Sequence, residues 1–254
     1  MGERQDEVGS RSWPRGSGGV ALALLGILAG FLLGQLAVVL YASLSGHAGH
    51  PSGFGADVAG LIGLWVGFLG AVAIGSARRG GNRPVRARLS DDYGLAIRLW
   101  PDVPLGIAVG VGAQYLLVPL LELPLLPFVP DLFTRLSQPA QQLTGDVHGA
   151  GLVVLGLLVC LGSPVVEELF FRGLLLRSLA GELVGRVRAG VPAALGLTGV
   201  IFGLVHFEPL QFLGLAGFGV VLAVLAWRFG RLGPGIIAHV AFNTVTIVAL
   251  ASAH

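Results

Sequence analysis

The chain has 254 residues, 54% hydrophobic and only 12% charged, with a formal net charge of +2. A soluble globular domain carries about 25% charged residues, so that class is excluded, and there is room for about six to eight membrane spans of about 20 residues each. The pI of 9.2 comes from arginines in loops between apolar runs, which points to membrane topology and away from nucleic acid as a partner.

In chain order, residues 1–17 are polar and Gly/Ser-containing and read as a disordered cytoplasmic tail. The first apolar run, Val20 to Tyr41, exceeds the about 7–15 residues of a signal-peptide core and lacks a small-residue cleavage site, so it reads as a true span. Gly26, Gly30 and Gly34 lie four apart on one face of it, a pattern that lets helix backbones approach closely. Further spans are expected at Val58–Ile74, Val103–Leu126 (bent by Pro119 and Pro124), Gly149–Leu179, Val191–Phe207, Leu210–Phe229 and Pro234–Ala251. The expected fold class is all-α, a polytopic transmembrane helix bundle of about seven spans. The lone Cys160 sits in an apolar run and reads as a packed small hydrophobe.

Charge assigns an orientation. Arg4, Arg11 and Arg15, then Arg78 to Arg98, then Arg177, Arg186 and Arg188, then Arg228 and Arg231 all fall on one side of a seven-span path. Only Arg135 falls on the other. The positive-inside bias then places the N-terminus in the cytoplasm and the C-terminus outside.

The polar residues inside the spans carry the chemistry. The run Pro164-Val-Val-Glu167-Glu168-Leu-Phe-Phe-Arg172-Gly173 sets two acids and a base in an apolar helix, where ionisable groups are costly and mark function by default. Glu168 and Arg172 are four apart and share a helix face, so they can pair. Glu167 points about 100° away from Glu168 and is free to face a cavity. Pro164 removes a backbone donor one turn earlier and can open the helix there. Phe202 lies one turn before His206 and can pack beneath the imidazole, and His239 and Asn243 share a face. His206 falls late in its span and His239 early, a depth difference of about 10 Å at 1.5 Å per residue. A shared cavity is expected to open toward the cytoplasmic half. The bland alternatives are a structural Glu168–Arg172 lock, an interfacial histidine and an asparagine acting as interhelical glue.

These three motifs, in this order and each on an apolar helix, resemble those of the CAAX protease and bacteriocin-processing family of intramembrane proteases (CPBP, or Abi), which is related to the type II CAAX prenyl endopeptidases. The family pattern is Glu-Glu-x-x-x-Arg, then Phe-x-x-x-His, then His-x-x-x-Asn; the sequence has Glu167-Glu168-Leu-Phe-Phe-Arg172, Phe202 to His206, and His239 to Asn243. The resemblance covers about residues 150–250 and divides the chain into a tail (1–17), N-terminal transmembrane helices and loops (18–145) and CAAX-protease-like catalytic helices (146–254). It implies that Glu167 is the base that activates a water, with His206 helping to hold it. It implies that His239 and Asn243 stabilise the oxyanion and that Glu168 and Arg172 position the motif helix. In a metalloprotease version, Glu167, His206 and His239 would hold Zn2+ with Glu168 as base. The metal-free glutamate mechanism is favoured, with no cofactor. The implied partners are a membrane protein or peptide substrate, prenylated or otherwise, and the lipid bilayer.

Other readings fit less well. A non-catalytic scaffold or bacteriocin-immunity protein of the same fold has no need of His239 and Asn243 on one face, and a small transporter is expected to show internal repeats that are absent. Ser163 lacks a nucleophile setting. Asp57, Asp131 and Asp146 lie at span edges or in loops, which argues against a two-aspartate intramembrane protease. Glu122, between Pro119 and Pro124, reads as an interfacial or helix-pairing acid.

Overall fold

A computed structural model describes residues 18–46, 53–80, 83–144, 147–184 and 186–251; the expected tail at 1–17 and Asp146 lie outside them. The described residues form nine helices and no strand: α1 Gly19–Leu44, α2 Phe54–Arg78, α3 Val85–Tyr93, α4 Leu99–Leu125, α5 Leu132–Thr144, α6 Ala150–Leu183, α7 Gly190–Leu204, α8 Phe212–Phe229 and α9 Gly233–Ala251. The protein is a helical membrane bundle.

All seven expected runs are helical. Five of them, α1, α2, α4, α6 and α8, are long and apolar enough to cross a membrane. The other two, α7 and α9, are apolar but shorter, so of about seven expected spans five have the length of a full crossing. In α7 the reason is local: the helix stops at Leu204, and Phe207 turns the chain with a φ of 54°. The short helices α3 and α5 were not expected, because each lies in a polar stretch between spans.

Lipid-facing and protein-facing residues divide as a bilayer solvent requires. Leu24, Leu25, Leu28, Leu32 and Leu36 of α1 are exposed, whereas Gly26, Gly30 and Gly34 are buried. Gly30 packs on Leu64 and Phe68 of α2 and Gly34 on Gly60, so the two helices run antiparallel at close range. A side chain added at Gly67 would strike the Gly30 backbone. Gly26 also lies against Phe170 of α6, and Phe170 stacks on Phe68 with centroids 4.2 Å apart. Elsewhere, α7 and α8 are antiparallel through Gly199 and Gly203, and α4 and α9 are parallel through Gly106 and Gly110.

The arginine-rich segments meet at one end of the bundle. Arg83 pairs with Asp92 at 3.0 Å, and Arg79 donates to the Asp92 carbonyl. Arg231 of the α8–α9 turn pairs with buried Asp102 at 2.5 Å, and Arg177 donates to the Gly230 carbonyl. Tyr93, fully buried, donates to the Val72 carbonyl at 2.6 Å. Burial pushes its phenol up to about 12, so it remains a donor.

Two prolines shape the long helices. A proline has no N–H and its ring crowds the carbonyl four residues back, so the preceding turn must widen or break. Wide turns at Ala113–Leu117 and Leu158–Gly162 each end two residues before a proline, Pro119 and Pro164 respectively. Pro124 follows in a tight turn at Leu123–Leu125 that ends α4. A third wide segment, Glu168–Leu175, carries the acid–base motif itself; such segments recur at functional sites.

Candidate active site

The wide turn before Pro164 prepares one contact of the site. In a regular helix the Val159 carbonyl would accept the Ser163 N–H; here that N–H goes to Leu158. The Val159 carbonyl instead accepts the Asn243 side-chain amide at 2.9 Å, which ties α9 to α6. The bond uses one of the two amide hydrogens of Asn243 and leaves the other available.

One turn earlier on α9, His239 sits between the two glutamates. Its Nδ1 is 3.1 Å from Glu168 Oε1, and its Nε2 is 3.8 Å from Glu167 Oε2. Glu168 Oε1 also accepts from Arg172 at 2.8 Å, and both of these side chains are fully buried. Arg172 donates in addition to the Gly219 carbonyl of α8 and lies 4.5 Å over the Phe202 ring. Glu168 is therefore the hub of a buried network reaching α8 and α9. A carboxylate accepts only, so Nδ1 of His239 carries the donated hydrogen and Nε2 is the atom turned toward Glu167. Glu167 Oε2 is buried and has no hydrogen-bond partner.

His206 lies just past the end of α7, not within a span. Its Nδ1 is 2.7 Å from the Phe202 carbonyl. A carbonyl only accepts, so Nδ1–H is the donor and Nε2 the acceptor in the neutral ring. Phe202 packs against both imidazoles, at 4.7 Å from His206 and 5.7 Å from His239. The expected depth mismatch does not separate the two histidines, because His206 folds back onto the aromatic ring one turn before it.

Glu167, His206, His239 and Asn243 line one cavity of about 740 Å³. Glu168 and Arg172 do not; they lie beneath it, as the 100° offset between adjacent helix residues predicts. The rim carries His206 from the α7–α8 turn with Phe133 and Gln141 from α5, all exposed. The inner wall carries Glu167, Phe202, Phe218 and buried His239. The cavity therefore opens at the end of the bundle opposite the arginine-rich one. The expectation of an opening toward the arginine-rich end is overturned, since the halves of α6 and α9 that extend from Glu167 and His239 along the cavity are Val159–Ser163 and Phe242–Ala249.

Sequence reasoning missed two carboxylates of the cavity, Glu122 and Glu208. Glu122 is buried, lines the wall and packs against Gly214 of α8; it is not an interfacial acid. Its position between two prolines, where a bent helix turns a side chain inward, was the available signal. The cavity lining holds three carboxylates, Glu122, Glu167 and Glu208, and no arginine. Among the described residues, no group of three or more His, Cys, Asp or Glu side chains is disposed to hold a metal ion, so Glu167, His206 and His239 are not gathered as the zinc alternative requires.

A buried acid–base network beneath an acidic cavity, inside a helical membrane bundle, defines an intramembrane polar site. Residues 149–245 match the family model described as type II CAAX prenyl endopeptidase Rce1-like, so this part of the chain is similar to the CAAX protease family. The matched segment contains all seven residues of the three motifs. No curated protein and no solved structure matches the chain.

Proposed function

We propose that the protein is an intramembrane endopeptidase in which Glu167 activates a water for attack on a peptide carbonyl. The observation that carries this reading is the Glu167 carboxylate: it stands in the cavity wall with its buried Oε2 without a hydrogen-bond partner and 3.8 Å from His239 Nε2. In the state competent as a base, His239 is an imidazolium, with Nδ1–H on Glu168 and Nε2–H toward the cavity, and Glu167 is ionised. Glu167 takes a proton from the water while His206 Nε2 accepts the other O–H. The oxygen attacks the carbonyl carbon, and His239 Nε2–H and the free Asn243 amide hydrogen receive the oxyanion. As the C–N bond breaks, Glu167 returns the proton to the leaving amine. Glu168 and Arg172 touch no reacting atom; they position His239 through Nδ1. The N-terminus is cytoplasmic in this reading, by the arginine bias.

Purified protein assayed on a library of fluorogenic peptides tests the mechanism. Glu167→Gln is expected to accumulate normally and to lose about 10²–10⁴-fold in turnover, the usual range for a positioned base. Full activity in this variant rejects Glu167 as the base. Activity that survives exhaustive chelation supports the glutamate mechanism; activity that is lost and returns with zinc requires a metal centre.

A further inference from the structure

We infer that the cavity carries a subsite for a basic side chain of the substrate, centred on Glu122; the inference names a substrate class and rests on the proteolytic reading above. Glu122 is 4% exposed, lines the cavity and has no hydrogen-bond or ion-pair partner among the described residues. Its seat is built by the neighbouring helix. Gly214, in the first turn of α8, leaves the room: a Cβ there would lie 2.7 Å from Glu122 Oε1. Gln114, Val118 and Glu122 follow one another at four-residue spacing along α4, and all three line the cavity. Gln114 Oε1 is likewise buried without a partner, so α4 presents two unused acceptors. Acceptors call for donors, and a carboxylate shielded from water pairs best with a cation. No arginine lines the cavity, and the sequence has no lysine. The two histidines of the lining are held by Phe202 and by the α6 glutamates. The cation that completes this seat therefore comes from outside the chain.

The seat is set apart from the reacting groups. Gly110 of α4 packs on Ala238 and Ala241 of α9, and the two helices run parallel, so Gln114 stands about level with Phe242 and Asn243. Glu122 lies eight residues farther along α4, about 12 Å of helix, in the part of the cavity walled by Phe133, Leu136 and Ser137 of α5. An extended peptide rises about 3.3 Å per residue, so a basic side chain that reaches Glu122 belongs to a residue about two to four positions from the scissile bond. Glu167 has a different task, because it stands 3.8 Å from His239 and acts on the water. Glu208, half-buried in the α7–α8 turn, adds negative charge to the same cavity. The class of substrate that fits is a polypeptide with a lysine or arginine close to, but not at, the bond that is cut.

Peptide binding tests this without depending on catalysis. The probes are short fluorescent peptides of Ser, Ala and Leu with both termini blocked, carrying at each position in turn one arginine or its neutral isostere citrulline. Binding to the full-length Glu167→Gln protein in detergent is read by fluorescence anisotropy. At the best position the arginine peptide is expected to bind about 10–100-fold more tightly than the citrulline peptide, the range for a charged hydrogen-bonded pair. Adding Glu122→Gln is expected to abolish that preference, Glu122→Asp to keep part of it and Glu208→Gln to keep most of it, each with the gel-filtration profile of the parent. Equal binding of arginine and citrulline peptides, or no binding at any position, overturns the inference without recourse to a variant. A preference undiminished by Glu122→Gln, or lost with Glu208→Gln alone, overturns it as well. Cleavage of the same peptides by the parent protein is read separately, so a failure of the proteolytic reading shows in turnover and a failure of the subsite in the arginine preference.

Discussion

Arg172 illustrates how an ion pair is kept inside an apolar helix. Its guanidinium is fully buried, yet it meets Glu168, the Gly219 carbonyl and the Phe202 ring. Removing one partner of a buried pair strands the other at about 3–5 kcal/mol. Arg172→Ala is therefore expected to lower the thermal midpoint and cellular abundance as well as turnover, read by unfolding in detergent and by immunoblot. Normal abundance with full turnover would mean that Glu168 does not need the arginine. Glu122 is a different case, because it faces the cavity and changes charge with little change of shape on conversion to Gln. Glu122→Gln is expected to leave abundance unchanged and to raise KM for peptides with basic residues near the scissile bond, while neutral peptides are unaffected. Equal effects on both peptide classes would remove Glu122 from substrate selection.

At the scale of elements, proline-induced wide turns and glycine contacts do most of the positioning. The Val159 carbonyl is available to Asn243 only because Ser163 N–H reaches back to Leu158. Asn243→Ala leaves that carbonyl without its side-chain donor, so a loss of about 1–3 kcal/mol in stability is expected alongside lost turnover. A thermal midpoint equal to that of the parent protein would show that the bond does not hold α9 to α6. In the α1–α2 pair the backbones touch at Gly30 and Gly67, and there is no space for a side chain. Gly67→Val is expected to cost at least about 1–3 kcal/mol, the usual range for overpacking, and to lower the yield of folded protein on gel filtration. The small-residue spacing on α1 was legible in the sequence, and Gly63, Gly67, Ala71 and Gly75 repeat it on α2, but which residues of the two stripes meet was decided only by packing.

The whole molecule has two unlike ends. One is tied by Arg–Asp pairs and closed by leucine and phenylalanine; the other holds an acidic cavity roofed by α5 and the α7–α8 turn. In the proposed orientation, with the N-terminus inside and all seven apolar helices crossing, the C-terminus is expected outside. A C-terminal phosphatase fusion is expected to be active in intact cells and a C-terminal fluorescent-protein fusion dark. The reverse result would require α7 or α9, the two shorter helices, to turn back without crossing.

Hydropathy, the arginine bias and the three ordered motifs are properties of short segments, each set by the transfer free energy of its own residues or by spacing along one helix. The sequence alone therefore determined the membrane bundle, its apolar runs, the Glu168–Arg172 pairing and the outward turn of Glu167 from Glu168. Contacts across long separations depend on how whole helices pack, and no local pattern encodes them. Glu168 and His239 are 71 residues apart, and His206 meets the site only because the chain leaves α7 and folds back. Tertiary structure alone decided that His239 bridges both glutamates, that Glu122 joins the cavity wall and that the cavity opens away from the arginines. The physical reason is that a cavity is the space left between packed helices, and it belongs to none of them singly.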